Sequence, residues 1–524
     1  MTTTLAAAIA LACAAAVACV RAVRALHMWQ MDSYIVPRYL QWLFAKPFER
    51  YVDAIGLAGC VAGAVLMVPI GWAWIAVICV ALLFRKDTTP VKKPLDYTAR
   101  AKRTLLASRV IIGLAAAALF FSPAPVWLSA ALLLHSAPWA ILAANIAMKP
   151  VQSHINRGFV KQAAAKLAQL QPLVIGVAGS YGKTSTKYYI DVLLAEKHNV
   201  IKSPGNFNTL LGITRVVNDM LKPEHKVFIA EMGAYQRGEV KEIAELVHPK
   251  IGIIVSIGPE HFERFLTMEN IENTNYELIE GLPADGLAVF NGDNEHCRKL
   301  AARTRHTRVA LYSLENAAGD ADLWARDVEH TREGLRFTIA LRDGRTAPVK
   351  TQIVGRHNVL NILGATRIAL EMGLSLDECA AGIAKLKPAP NRLEVKPGAG
   401  GTTIIDDSYN SNPVGAAEAL YVLSQFQGGK RILVTPGMIE LGTLHYEKNE
   451  ELGFIAAKCA DYVILVGPEQ TKPIQDGLRR GGFSEESLRI IKDLSETQVI
   501  FPKLLRSGDV LLFENDLPDL YSEK

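Results

Sequence analysis

The stretch from Leu173 to Lys187, LVIGVAGSYGKTSTK, constrains this chain more than any other. Leu173 to Val177 is a short apolar run that reads as a buried strand. It breaks at Gly176, Gly179 and Gly182 into a turn, followed by Lys183, Thr184 and Ser185 and a helix-compatible segment, KYYIDVLLAEK. Strand, glycine turn and helix N-terminus together cradle a phosphate. The glycines let backbone N–H groups approach the anion, the lysine meets the outer phosphates, and a hydroxyl reaches Mg2+. The strict spacing would place glycine at 177, where this chain has Val177, so the pattern here is G-x-x-G-x-x-G-K-T-S. A glycine-rich surface turn is the bland alternative; the strand before and the helix after argue against it.

A soluble phosphate-binding protein would not need the rest of this composition. Half of the 524 residues are hydrophobic, and the excess sits in the first 148. Residues 4–20 are apolar and rich in alanine, long enough to span marginally. The leading MTTT carries no lysine or arginine, and Arg21 and Arg24 follow the apolar run, which favours a retained anchor over a signal peptide. From Arg21 to Asp53 aromatic and basic residues mix (Trp29, Tyr34, Arg38, Tyr39, Trp42), suiting a segment at the membrane surface or packing against helices. Residues 54–84 are uncharged but interrupted at Pro69 and Gly71, and 105–121 and 126–148 are two further apolar runs. The basic segments 21–53 and 85–103 both stay in the cytoplasm only if 54–84 is a hairpin. The expectation is therefore five spans (4–20, 54–68, 70–84, 105–121, 126–148), with the N-terminus outside. Apart from Arg109 and His135 the spans lack ionisable residues, which argues against a transport path. The net charge of +5 is explained by membrane-flanking loops, so no nucleic-acid partner is expected. Seven cysteines without a C-x-x-C spacing indicate neither zinc nor a disulfide framework.

Beyond residue 148 strands and helices alternate. KVFIAEMGA gives a strand ending in Glu231, and KIGIIVSIGPEHFERF another ending near His261. A carboxylate and an imidazole just beyond the carboxyl ends of parallel strands lie where doubly wound sheets bind ligands. Short strands with turn signals occupy 322–354, and a second α/β segment begins near Asn391, after Pro388-Ala-Pro390. Two open α/β sheets are expected.

Taken together, the motifs of residues 173–515 resemble the Mur ligase family, and within it the D-alanyl-D-alanine-adding type. Behind the α-helical transmembrane region (1–148) read from the apolar runs, the resemblance implies a P-loop central Mur ligase domain (149–388) and a Rossmann-like C-terminal Mur ligase domain (389–524). It implies an ATP- and Mg2+-dependent ligase that forms an acyl phosphate and passes it to an amine. In GVAGSYGKTSTK, Gly179, Ser180, Gly182, Lys183, Thr184 and Ser185 would bind the nucleotide, with Thr184 also on Mg2+. Glu231 in AEMGA would hold the metal, and His261 in GPEHFERF a second ion. Asn291 and Asn361 match the asparagines near adenine, Arg392 in NRLE the arginine that reaches the γ-phosphate, and Asp407 in DDSYNSNP the ribose aspartate. Tyr409, Asn410 and Asn412 would line the acceptor side, and PGMIELG with His445 resembles the C-terminal signature loop. Lys183, His261 and Arg392 are the expected catalytic residues. The expected partners are a cell-wall peptide precursor, UDP-linked or lipid-linked, an amino acid or dipeptide, and membrane lipid, with the catalytic domains on the cytoplasmic side of the plasma membrane.

Two departures stand out. The family commonly carries a carbamylated lysine where this chain has Asn275, which cannot supply that anion; Glu272 and Glu277 are the carboxylates near it in sequence. The soluble N-terminal domain that binds the UDP end is replaced by apolar segments. Other readings stay open: a ligase of the poly-γ-glutamate-synthetase kind, a membrane NTPase, or a Mur-like subunit that binds ATP without turnover.

Overall fold

The computed structural model describes residues 2–31, 34–45, 75, 77–79, 82, 94–205, 207–316, 318–331 and 334–516. The expected hairpin of spans 54–68 and 70–84 lies outside these residues, apart from the few positions between 75 and 82. The described residues separate into two compact units, divided between Arg157 and Gly158.

The first unit is helical: α1 (Thr2–Met31), α2 (Val36–Ala45), α3 (Ala99–Phe120), α4 (Val126–Leu134) and the start of α5 (Ala137–Leu170). Thr4–Met31 and Ala99–Phe120 are each long and apolar enough to cross a membrane, and α4 with α5 qualifies only as a pair bent by 63°. Two expectations change and one alternative is decided. Helix α1 does not stop at residue 20 but continues through Arg21 and Arg24 to Met31. Trp29 and Tyr39 are fully buried with ring centroids 4.3 Å apart, so these aromatics pack inside the unit. The run 126–148 is two helices: His135 Nδ1 and Ser136 Oγ each lie 2.7 Å from carbonyls of the last turn of α4. Pro138 then sits in the first turn of α5, where its missing N–H costs nothing. Helix α5 runs on through Pro150, and its final turns count with the second unit, where Ala163 and Leu167 are buried in the core.

The second unit carries two sheets. Strands β1 (Leu173–Ala178), β2 (Val200–Lys202), β3 (Val227–Glu231), β4 (Ile251–Ile254), β5 (Leu287–Asn291), β6 (Arg308–Ser313), β7 (Leu323–Thr331), β8 (Gly334–Leu341) and β9 (Thr346–Thr351) form the first. Their order is β2-β3-β1-β4-β5-β6-β7-β8-β9, parallel from β2 to β7 and antiparallel thereafter. Parallel strands need cover on both faces. Successive side chains of β1 supply it: Val174 and Ala178 enter one core, Ile175 and Val177 the other. Because β1 pairs with both β3 and β4, the turn after Ala178 opens between the ends of those two strands.

The second sheet comprises β10 (Glu394–Pro397), β11 (Thr403–Asp407), β12 (Arg431–Thr435), β13 (Tyr462–Val466), β14 (Leu488–Ile491) and β15 (Val510–Glu514). The order is β10-β11-β15-β12-β13-β14, with only β10 antiparallel to its neighbour. The last strand therefore inserts beside the first parallel one, and Asp407 falls in register with Glu514.

Candidate functional site

The glycine turn joins β1 to helix α6 (Lys183–Leu194). Gly182 caps the helix at φ 81° and Gly179 stands at φ 132°, both conformations that favour glycine. Space excludes a side chain as well: a Cβ would lie 2.4 Å from Asn361 Oδ1 at position 182, and 2.9 Å from the Ser256 carbonyl at 179. The Ser180 N–H donates to that same carbonyl at 2.6 Å, and its hydroxyl donates to Gly258 O at 2.9 Å. The Gly179 N–H donates to Asn275 Oδ1 at 2.7 Å, while Asn275 Nδ2 donates to Ile271 O within its own helix, α7 (Met268–Glu280). Asn275 thus holds the loop's backbone. Ser185 is buried on the inward side of α6.

Lys183 Nζ folds over the turn, donating to the Gly179 carbonyl at 2.6 Å and to Glu260 Oε2 at 2.8 Å. The Thr184 hydroxyl reaches both Glu231 oxygens, at 3.2 and 3.3 Å. Glu231 is nearly inaccessible. It also accepts from Lys187 Nζ at 2.8 Å and Asn208 Nδ2 at 3.2 Å. Burial pulls the Lys187 ammonium below its ordinary range, the Glu231 charge opposes this, and Arg392 is close enough to add to the lowering. Lys187 was not expected. It lies one helical turn after Lys183, a spacing that places both on one face of α6. Thr184 and Glu231 are hard oxygen donors suited to Mg2+. Among the described residues no three His, Cys, Asp or Glu form a ready-made cage, consistent with an ion completed by phosphate oxygens and water.

His261 stands beyond β4 at φ 49°. Its Nδ1 bonds Glu440 of the second sheet's PGMIELG loop, and its Nε2 is 3.8 Å from Glu260. Tyr235 stacks against it at 4.5 Å. The two carboxylates near Asn275 in sequence do not turn to this site. Glu272 pairs with His296 at 2.7 Å and Lys299 at 2.8 Å, and Glu277 accepts the N–H groups of Gly238 and Lys241. The additional carboxylate here is Glu260, which adjacency to His261 could have flagged. Asn291 ends β5 and accepts the Asp293 N–H at 3.0 Å. Asn361, on helix α8 (Arg356–Glu371), is buried against Gly182 and donates to Asn358 at 3.0 Å.

On the second sheet, Arg392 lies 4.4 Å above the Tyr409 ring and donates to the Asn410 carbonyl at 3.1 Å. Asn412 accepts the Gly415 N–H at 2.9 Å, capping helix α9 (Pro413–Ser424), so its side chain does structural work. His445 opens helix α10 (His445–Cys459), and burial lowers its pKa against the pull of Glu263. Asp407 accepts the Leu393 N–H at 2.9 Å and meets Glu514, which is fully buried and bonded to Ser411. Burial raises both carboxyls; Arg392 opposes the rise at Asp407, and the Asp407 charge adds to it at Glu514. Glu514 could not be found from sequence, because only the strand order brings it beside Asp407.

Comparison with known proteins follows the same division. Residues 177–369 match the Mur ligase middle domain and 391–514 the Mur ligase glutamate ligase domain. The chain is similar to the UDP-N-acetylmuramoyl-tripeptide--D-alanyl-D-alanine ligases of Bacillus subtilis strain 168 (32% identity, 56% of this chain, 62% of that protein) and Escherichia coli K12 (31%, 59% and 68%). It thus spans less than two thirds of the length of the Bacillus protein. Among solved structures it resembles the MurF ligase of Thermotoga maritima in complex with ADP, with TM-score 0.61, 26% identity, and coverage of 70% of this chain and 81% of that one. It shares its fold with MurF from Acinetobacter baumannii (TM-score 0.62, 23% identity, 70% and 78% covered).

Proposed function

The chain belongs to the Mur ligase family, and on that premise we propose that it is an ATP- and Mg2+-dependent ligase of cell-wall peptide assembly. It adds D-alanyl-D-alanine to a UDP-linked muramyl tripeptide, the reaction named for its Bacillus and Escherichia relatives. The observation that supports this best is the meeting of the Gly179–Gly182 loop, Lys183 and the Thr184–Glu231 pair at one sheet edge.

In this reading the turn acts as a P-loop: the N–H groups of Gly182, Lys183 and Thr184 and the Lys183 side chain would bind the ATP phosphates, and Thr184 and Glu231 would hold Mg2+, with His261 on a second ion. Bound Mg2+ supplies neutralising charge to the phosphates. Asn291 and Asn361 lie towards adenine and Asp407 towards ribose; Tyr409 and Asn410 line the acceptor side. The substrate carboxylate attacks the γ-phosphorus: an O–P bond forms, the bond to ADP breaks, and an acyl phosphate results. The amine attacks the carbonyl carbon, the C–O bond to phosphate breaks, and the nitrogen's proton leaves to solvent. Lys183 and Arg392 offset the charge spread over the transferring group, and no side-chain nucleophile is needed. Contact between the two sheets' loops shields the acyl phosphate from water. The apolar first unit anchors the ligase in the plasma membrane by several passes, with the catalytic part in the cytoplasm.

The test is phosphate release by the detergent-solubilised full chain with ATP, Mg2+, D-Ala-D-Ala and UDP-muramyl tripeptide, or its lipid-linked counterpart in a parallel arm. Release that needs both acceptor and amine, and that Lys183→Ala abolishes, is the expected result. Turnover only with the lipid-linked acceptor would shift substrate binding to the first unit. Nucleotide binding without turnover in either arm would overturn the ligase reading.

A further inference from the structure

One hydrogen bond crosses between the two sheets' loops at the histidine. Glu440 follows β12 in PGMIELG, and its Oε2 bonds His261 Nδ1. Its other oxygen lies 3.8 Å from Arg264 Nη2, and its backbone carbonyl accepts the Glu263 N–H at 3.2 Å. Gly442 approaches so closely that a Cβ there would sit 3.0 Å from Glu263 Cα. Both bonded residues hold left-handed backbone, His261 at φ 49° and Glu440 at φ 61°, which neither side chain favours. Conformations of this kind persist only where surrounding contacts over-determine them. Here Glu440 and Gly442 supply such contacts from the opposite sheet.

A carboxylate on one ring nitrogen fixes which tautomer a histidine adopts, and metal-binding imidazoles use such a partner to orient the other nitrogen. We propose that Glu440 is a positioning residue. It holds the proton of His261 on Nδ1 and turns Nε2, with its lone pair, towards the Lys183–Glu260 side, where a divalent cation would be bound. The histidine ligand is then complete only while the PGMIELG loop is docked, so metal affinity reports the contact between the two sheets. This inference rests on the reading of His261 as a metal ligand.

The test is Mn2+ binding by the full chain in detergent with saturating ADP, followed by the paramagnetic signal of free Mn2+, for the parent, Glu440→Ala, Glu440→Gln and His261→Ala. The inference expects Glu440→Ala to weaken Mn2+ about 10- to 100-fold. Glu440→Gln, which still accepts from Nδ1–H but carries no charge, should fall between it and the parent. Weakening by His261→Ala with an unchanged Glu440→Ala would overturn the inference alone. Unchanged affinity in His261→Ala would overturn the metal reading of that histidine, and the inference with it. Should Glu440→Ala fail to fold, Glu440→Gln decides: parental affinity overturns the positioning role, and weaker affinity at an unchanged melting temperature supports it.

Discussion

Each sheet of the second unit brings one buried ionisable pair to the carboxyl end of its strands, and the two pairs are built on opposite principles. At the end of β3, Glu231 faces a buried ammonium, Lys187, at 2.8 Å, with exposures of 3% and 0%. At the ends of β11 and β15, Asp407 faces another carboxyl, Glu514. The first pair sets a carboxylate against an ammonium in a place where water reaches neither. In the second pair burial raises both carboxyls, the Asp407 charge adds to the rise at Glu514, and Arg392 favours the charge on Asp407. In the proposed reading, the carboxylate that would hold a metal and the carboxyl that would meet a ribose hydroxyl thus have different partners.

The largest effect that would sharpen this contrast is functional. Lys183→Met should lower acceptor-dependent phosphate release by on the order of 10³-fold or more, since it removes a charge facing the transferring group; the melting temperature should barely move. Lys187→Met should instead strike stability, leaving Glu231 buried without its partner at a cost of about 3–5 kcal/mol, read from the urea midpoint. A small loss there would mean that Asn208 and Thr184 suffice, and the comparison would break. Gly182→Ala should cost about 1–3 kcal/mol through its left-handed φ and the crowding by Asn361, with weakened ADP binding in equilibrium dialysis.

The smallest effect tests the second pair. Its carboxyls titrate above their exposed values because of burial, to which the Asp407 charge adds at Glu514. The folded chain therefore binds the proton more tightly than the unfolded one. That stability is full below the ordinary carboxylate range and is lost as pH rises through the raised folded values. Glu514→Gln, which mimics the protonated carboxyl, should match the parent near pH 4 and exceed it by about 1 kcal/mol at pH 8 in urea unfolding. A pH dependence identical to the parent's would place the proton elsewhere.

Much of this was legible beforehand where the determinants are local. The apolar strand, the glycine turn, Lys183 and Thr184 lie within a dozen consecutive residues, and the backbone geometry of a strand-turn-helix follows from them. Glu231 was legible too, because it ends an apolar run, whereas the strand expected to end near His261 stops at Ile254 and the histidine stands in the loop beyond it. The helical unit was readable only in outline: an apolar count registers length, whereas the bend at His135–Ser136 depends on two side chains bonding the preceding turn.

What the sequence by itself determined is the set of groups on offer: a glycine turn with Lys183 and Thr184, a carboxylate at the end of an apolar strand and an arginine at the head of a second α/β segment. Its Mur-like motifs already carried that order. What only the tertiary structure decided is which groups answer them. Asn275 supports the Gly179 N–H, Glu272 and Glu277 turn away, Glu260 and Glu440 flank His261, and Glu514 meets Asp407. The physical reason is that these pairings join residues remote along the chain, through strand order and loop contact. No periodicity or spacing in a linear sequence encodes the partner that a low-dielectric interior makes obligatory.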